Sequence, residues 1–228
     1  MGMNSYDKIR KYYSSLEARF GYRFLLGDAK HFGFYPEGQK NISEQEALLH
    51  HQDKIAESLD LKSGDLVLDA GCGRGVTACY LAKKCGANIV GIDLLDFEIT
   101  IAKNKAEEFN VTNNTNFQIM DFSNLKFPDN HFDAIYTSET LSHAPDLKKV
   151  LHEFYRVLKP GSRIALFEYT LDKEQAFKSS EIEVLDFVIE GSAMVGLKNF
   201  QHHKILPILK SIGFNNGMEQ NITHNILP

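Results

Sequence analysis

Several functional classes leave marks that this chain lacks. It has three cysteines and six prolines, and no run of basic residues exceeds the pairs Lys83-Lys84 and Lys148-Lys149. A nucleic-acid groove needs a dense basic footprint to neutralise phosphates. With 25 Lys and Arg against 30 Asp and Glu the net charge is −5, and no nucleic-acid partner is expected. Cys72, Cys79 and Cys85 are odd in number and fit neither a disulfide framework nor a zinc-ligand spacing. They read as small buried fillers in a reducing compartment. No apolar stretch approaches the roughly 20 residues a membrane helix needs. The first residues are polar and charged through Asp7, Lys8, Arg10 and Lys11. No leader and no stable membrane insertion are read, and a cytoplasmic protein is expected.

What is present is enough for one substantial core: 228 residues, 43% of them hydrophobic. Residues 1–60 read as a helical cap rich in aromatics, among them Tyr6, Tyr12, Tyr13, Phe20, Tyr22, Phe32 and Tyr35. Ser43 and Glu46 form a capping box, opening a helix that should run to about Leu59. Residues 61–228 read as the main domain. Short apolar runs at 65–69, 88–93, 117–120, 132–136 and 163–168 alternate with helical patterns at 76–85, 96–110 and 146–158. That alternation predicts an α/β fold with a doubly wound, mostly parallel sheet. Ligands in such sheets sit beyond the carboxyl ends of the strands.

The first strand runs into Asp69-Ala70-Gly71-Cys72-Gly73-Arg74-Gly75. Alternate glycines permit a tight turn with backbone bared to a ligand at the N-terminus of the next helix. The dinucleotide pattern fails, because its third glycine would fall where Val76 stands. About 20 residues past the loop, Asp93 ends the second strand, where a carboxylate can accept ribose hydroxyls.

Leu68 to Gly75 resembles motif I of the class I S-adenosylmethionine-dependent methyltransferases. Three further segments resemble the same family in order: Met120-Asp121-Phe122, the run from Phe127 to Asp133, and Arg156-Val157-Leu158-Lys159-Pro160-Gly161. Tyr136 to Asp146 is similar to a segment of the sterol C-24 methyltransferases and their small-molecule relatives. The regions 21–33 and Phe167-Glu168-Tyr169 resemble that group too, but without its tryptophans; this chain has none.

The resemblance implies a Rossmann-like methyltransferase with S-adenosyl-L-methionine as cofactor and S-adenosyl-L-homocysteine as product. Asp69, Gly71, Cys72, Gly73 and Gly75 would cradle its methionine part. Asp93 and Leu94 would hold the ribose, Asp121 and Phe122 the adenine, and Ser138 and Tyr35 would adjoin the cofactor. Tyr22 and Phe32 are the candidate acceptor-binding residues. The expected partner is a small-molecule acceptor, with a homo-oligomer left open. C-methylation of a sterol- or isoprenoid-like alkene stands beside N- or O-methylation of an amine, phenol or sugar. A non-catalytic cofactor-binding module and a nicotinamide dehydrogenase are the rival classes; Val76 speaks against the latter.

Glu139 and His143 follow strand four, four residues apart. On a helical turn they would share a face and either could take a proton; alternatively Glu139 binds cofactor and His143 caps the next helix. The pairs His50-His51 and His202-His203 suggest metal, but neighbours on a helix point about 100° apart, so both pairs read as surface residues and no metal site is expected. An apolar helical stretch around 184–195 is expected to wall a pocket or pack on the sheet. A helix at 203–212 and a sixth strand at 217–226 complete the reading. With no seventh strand, strand five has an open edge. Either the chain is a truncated piece of a longer protein, or another segment or chain covers that edge.

Overall fold

The computed structural model describes residues 5–15, 28–29, 31–171 and 178–226. Five parallel strands form its centre: β1 (Leu66–Ala70), β2 (Asn88–Asp93), β3 (Thr115–Ile119), β4 (Phe132–Ser138) and β5 (Leu158–Phe167). Their order is β3-β2-β1-β4-β5, with β1 and β4 adjacent at the point where the winding reverses. That junction is where a doubly wound sheet opens a crevice.

Helices α1 (Ser5–Ser14), α2 (Glu44–Leu59), α3 (Val76–Cys85), α4 (Asp96–Phe109), α5 (Leu147–Val157), α6 (Ser179–Gly191) and α7 (Ile205–Ile212) surround the sheet. Local chemistry sets most of their ends. Ser43 Oγ accepts from the Glu46 N–H at 3.2 Å while Glu46 Oε2 accepts from the Ser43 N–H at 2.9 Å, so α2 starts on a complete capping box. Such a cap contributes about 1 kcal/mol. Gly86 and Asn110 close α3 and α4 in left-handed conformations, which glycine and asparagine tolerate best. Asp146 accepts from the Lys149 N–H at 3.0 Å to start α5.

The core divides between the two faces of the sheet. On one, α5 presents Leu147, Val150, Leu151, Phe154 and Val157 at helical spacing, all fully or nearly buried against β1, β2 and β4. Burial of each such side chain stabilises the fold by roughly 1.5–3 kcal/mol. On the other, Ile55 and Leu59 of α2 join Leu81 of α3, Ala102 of α4 and Phe117 of β3. The helix at 44–59 thus packs into the main core and is not set apart from it.

Three expectations are corrected here. Residues 217–226 form no strand: they run irregularly into a 3-10 turn, Thr223–Asn225, and β5 is the sheet's last strand among the described residues. Among the described residues, the apolar stretch of α6 is mostly open: Ile182, Val184, Phe187 and Val188 are exposed and Ile189 alone in that helix is buried. His51 is not a surface residue but lies 5% exposed under the cap segment. No described helix is long and apolar enough to cross a membrane.

Candidate cofactor and substrate cleft

The cleft opens at the carboxyl ends of β1, β2 and β4. Its floor includes Asp69, Gly71, Cys72, Gly73, Asp93, Leu94, Asp121, Phe122, Ser138, Glu139 and His143, eleven residues that the sequence singled out. Tyr6, Ile9 and Tyr13 of α1, with Asp28, Ala29 and His31, line it from above.

Three expected residues lie elsewhere. Gly75 does not reach the cleft; it sits at φ 71° where a Cβ would press on Phe117 and Ala102, so it is a packing glycine. Tyr35 is buried, with its backbone N–H donating to Asn225 O at 2.7 Å and its carbonyl accepting from Asn225 Nδ2 at 2.8 Å. Phe32 stands beside the cleft, 40% exposed, with its ring edge-on to Tyr169. Tyr22 falls outside the described residues.

The glycine loop spends its donors internally. The N–H groups of Gly71 and Cys72 both donate to Ile92 O, that of Gly73 to Asp93 Oδ2 at 3.0 Å, and that of Gly75 to Cys72 O. Few amides of the turn remain to cradle a pyrophosphate, which a dinucleotide requires. Five acids line the cleft, Asp28, Asp69, Asp93, Asp121 and Glu139, against one arginine, Arg74. The arginine of the loop, Arg74, is buried and paired with Asp28 Oδ1 and, at 3.4 Å, with Glu98 Oε2. An acidic cleft floored by bare backbone fits a ligand that carries cations and sugar hydroxyls, as S-adenosylmethionine does, and does not fit a phosphate-bearing one.

Each acid is held by its strand end. Asp69 accepts from the Tyr136 hydroxyl at 2.7 Å, and burial pushes its carboxyl up to about 7. Asp93 accepts from the Leu95 N–H through Oδ1 at 2.9 Å and from the Gly73 N–H through Oδ2 at 3.0 Å. Asp121 accepts from the Ser123 N–H at 2.7 Å.

After β4 the chain departs from a helical turn. Glu139 takes φ +54°, and only Leu141–His143 form a 3-10 turn, so Glu139 and His143 are not stacked on one helix face. Glu139 Oε1 accepts from the Phe32 N–H at 2.7 Å and Oε2 from the Tyr169 hydroxyl. Burial raises its carboxyl to about 7 despite both donors. Behind it Glu168 accepts from the Thr140 and Leu141 N–H groups at 3.3 and 3.1 Å, and burial lifts that carboxyl to about 8, with Glu139 adding to the rise. His143 Nδ1 lies 2.9 Å from Ala193 O, to which it donates, and in the neutral ring Nε2 accepts from the Tyr13 hydroxyl at 2.9 Å.

The sequence reading missed two sets of residues. His31 and His51 stack at 4.3 Å, with His31 reaching Thr77 Oγ1 at 3.2 Å and His51 reaching Ser138 Oγ at 3.0 Å. Burial holds both imidazoles below their ordinary range. Together they tie the cap segment and α2 to the end of β4. Arg74 with Asp28, Glu98 and Lys105 fastens the same cap to the glycine turn and α4. Arg74, Ser138 and His31 each lie in a segment that resembles the family, but the intervals between partners are long and no motif pairs one with another.

The winding order, the glycine turn and the acids at successive strand ends define a class I S-adenosylmethionine-binding fold. A methyltransferase domain model matches residues 68–166. Over 226 residues the chain is 33% identical to an S-adenosyl-L-methionine-dependent Diels-Alderase of Talaromyces variabilis, covering 96% of this chain and 77% of that protein. It is 35% identical over 166 residues to the sterol 24-C-methyltransferase of Aspergillus fumigatus, which covers 73% of this chain but only 43% of that one. Among solved structures the 4+2 cyclase SpnF superposes with a TM-score of 0.72 at 26% identity, over 87% of this chain and 68% of that one. The chain belongs to the class I S-adenosylmethionine-dependent methyltransferase family, close to the sterol C-24 methyltransferases, and S-adenosylmethionine is its cofactor. It spans about half the length of the curated sterol methyltransferases it matches, 57% in Saccharomyces cerevisiae and 43% in Aspergillus fumigatus.

Proposed function

We propose that this protein methylates a carbon of a small sterol- or isoprenoid-like alkene, with Glu139 taking up the proton released. S-adenosylmethionine, when bound, supplies an electrophilic methyl group on a sulfonium. Asp93 would hold its ribose hydroxyls, Asp121 and Phe122 its adenine, Asp69 and the Gly71–Gly73 turn its methionine part, with Ser138 at the strand end beside them. The alkene's electron pair would form the new carbon–carbon bond as the sulfur–methyl bond breaks, the electrons of that bond staying on sulfur to leave S-adenosylhomocysteine, and the acceptor would carry the positive charge. Loss of a proton to the Glu139 carboxylate restores a double bond. Tyr6 and Tyr13 line the cleft, and aromatic rings beside the acceptor would favour a transient cation.

The observation that carries this reading is Glu139. It is a desolvated carboxyl at the mouth of β4, raised to about 7, which suits a base working near neutrality. His143 bridges the Tyr13 hydroxyl and the Ala193 carbonyl, and in this reading it positions Tyr13 while Glu139 is the base. The same reading makes the protein a cytoplasmic enzyme with a small-molecule partner, a homo-oligomer being compatible with it. The test is single-turnover reaction with methyl-labelled cofactor against sterol, prenyl, amine and phenol pools. Label recovered on carbon of an alkene supports the proposal; label on nitrogen or oxygen overturns the C-methylation.

A second reading rests on the relative named a Diels-Alderase. There the cofactor would order the cleft while a bound polyene cyclises, and no methyl group would move. Cyclised polyene formed with all label still on the cofactor would select this reading.

A further inference from the structure

Just before α7, His202 and His203 meet Glu219 of the segment that follows that helix. We propose that His202, His203 and Glu219 bind a divalent transition-metal ion of the zinc class, fastening the C-terminal segment to the chain after β5. The three residues offer two imidazole nitrogens and one carboxylate, with their ligand atoms all within 4.8 Å of one another. That donor set suits zinc, which takes histidine and carboxylate ligands in a tetrahedron completed by water.

The arrangement depends on His203 leaving helical geometry. It takes φ +63°, a left-handed conformation a non-glycine residue seldom adopts. Neighbours on a helix would diverge, but here the two imidazoles lie with centroids 3.9 Å apart and turn the same ring nitrogen toward one carboxylate. His202 Nδ1 stands 3.3 Å from Glu219 Oε1, and His203 Nδ1 stands 3.9 Å from Oε2. Zinc–nitrogen bonds of about 2.0–2.1 Å put tetrahedral ligand atoms about 3.3 Å apart, so the first pair is already spaced for the ion. The second closes by rotation of the His203 side chain, which is 76% exposed. The backbone beneath is fixed: the His203 N–H donates to Glu219 Oε1 at 3.0 Å, and the His202 N–H donates to Leu171 O at 3.1 Å. The site is therefore preformed on one side and adjustable on the other.

Its location gives the ion work to do. The segment beyond Glu219 carries Asn225, whose side chain and carbonyl hold the backbone of Tyr35, and His224, whose carbonyl accepts from Lys40 Nζ. A metal at Glu219 would fix the anchor of the cap segment that supplies Phe32 to Glu139.

The test uses untagged protein stripped with a chelator and titrated with Zn²⁺ by calorimetry, with Co²⁺ absorption as the signature of coordination geometry. His203→Gly keeps the left-handed backbone, and Glu219→Gln keeps the shape and the backbone acceptor, so both variants fold. Expected are one ion per chain, the intense visible bands of four-coordinate Co²⁺, and a melting temperature raised by Zn²⁺. Each variant should bind at least about tenfold more weakly and lose the thermal shift. His224→Ala should bind as the parent does. No binding up to about 100 µM Zn²⁺ (roughly −5.5 kcal/mol), or equal binding by all variants, overturns the site.

Discussion

The backbone N–H of Phe32 donates to Glu139 Oε1 at 2.7 Å, so a cap residue and the carboxylate after β4 are joined by one bond. The cap therefore does more than shield the cleft: it shares responsibility for where Glu139 points. Since Tyr169 holds the other oxygen, the carboxylate is fixed from two sides and turned into the site.

Glu139→Gln keeps an acceptor for Phe32 and lets Tyr169 reorient. The methylation rate should fall by roughly a hundredfold or more, while S-adenosylhomocysteine affinity by calorimetry holds. In the parent protein the rate should rise as pH passes about 7, because the carboxylate is the active form. A variant as fast as the parent would remove Glu139 from the chemistry.

Glu168 supplies a pH-dependent stability. Its carboxyl lies at about 8 in the fold against 4.5 for an ordinary glutamic acid. A raised carboxyl stabilises the fold most fully below 4.5, and that contribution is lost as pH rises toward 8. The melting temperature of the parent should therefore decline between pH 5 and 8. Glu168→Gln cannot ionise and keeps one acceptor oxygen, for the Leu141 N–H or the Thr140 N–H but not for each in turn; it should flatten that decline by roughly 2–4 °C or more. Parallel curves for the two proteins would show that the buried carboxyl is not the cause.

Asp93→Ala should weaken cofactor binding by about 1–3 kcal/mol, the cost of leaving sugar hydroxyls and the Gly73 N–H without a partner. Calorimetry with S-adenosylhomocysteine measures this directly, and unchanged affinity would reassign the ribose site.

Gly71→Ala tests the turn. At φ 93° the added Cβ would lie 2.2 Å from Thr140 Oγ1. The strain and clash should cost about 1–3 kcal/mol of stability and weaken cofactor binding with it. Adding Thr140→Gly should recover part of the loss, the part due to the clash and not to the backbone. Full stability of the single variant by chemical denaturation would contradict the close approach.

Ser43, Gly86, Asn110 and Asp146 mark helix ends in the sequence because capping is a bond between near neighbours. The strands were legible for the same reason, as short apolar runs between helices. The acids Asp69, Asp93 and Asp121 could be placed in advance because each ends a strand, and in a doubly wound sheet strand ends converge. The strand expected at 217–226 was not so determined: a strand exists only against a neighbour, and that segment finds none among the described residues.

Local periodicity and winding are enough to set the alternation of elements, the glycine turn and the acidic floor of the cleft. Tertiary structure alone decided that His51 is buried beneath His31, that Arg74 pairs with Asp28, that Phe32 reaches Glu139, and that His203 turns left-handed toward Glu219. Those partners are far apart in the chain, and no spacing encodes a contact that depends on how the cap and the C-terminal segment fold back over the sheet.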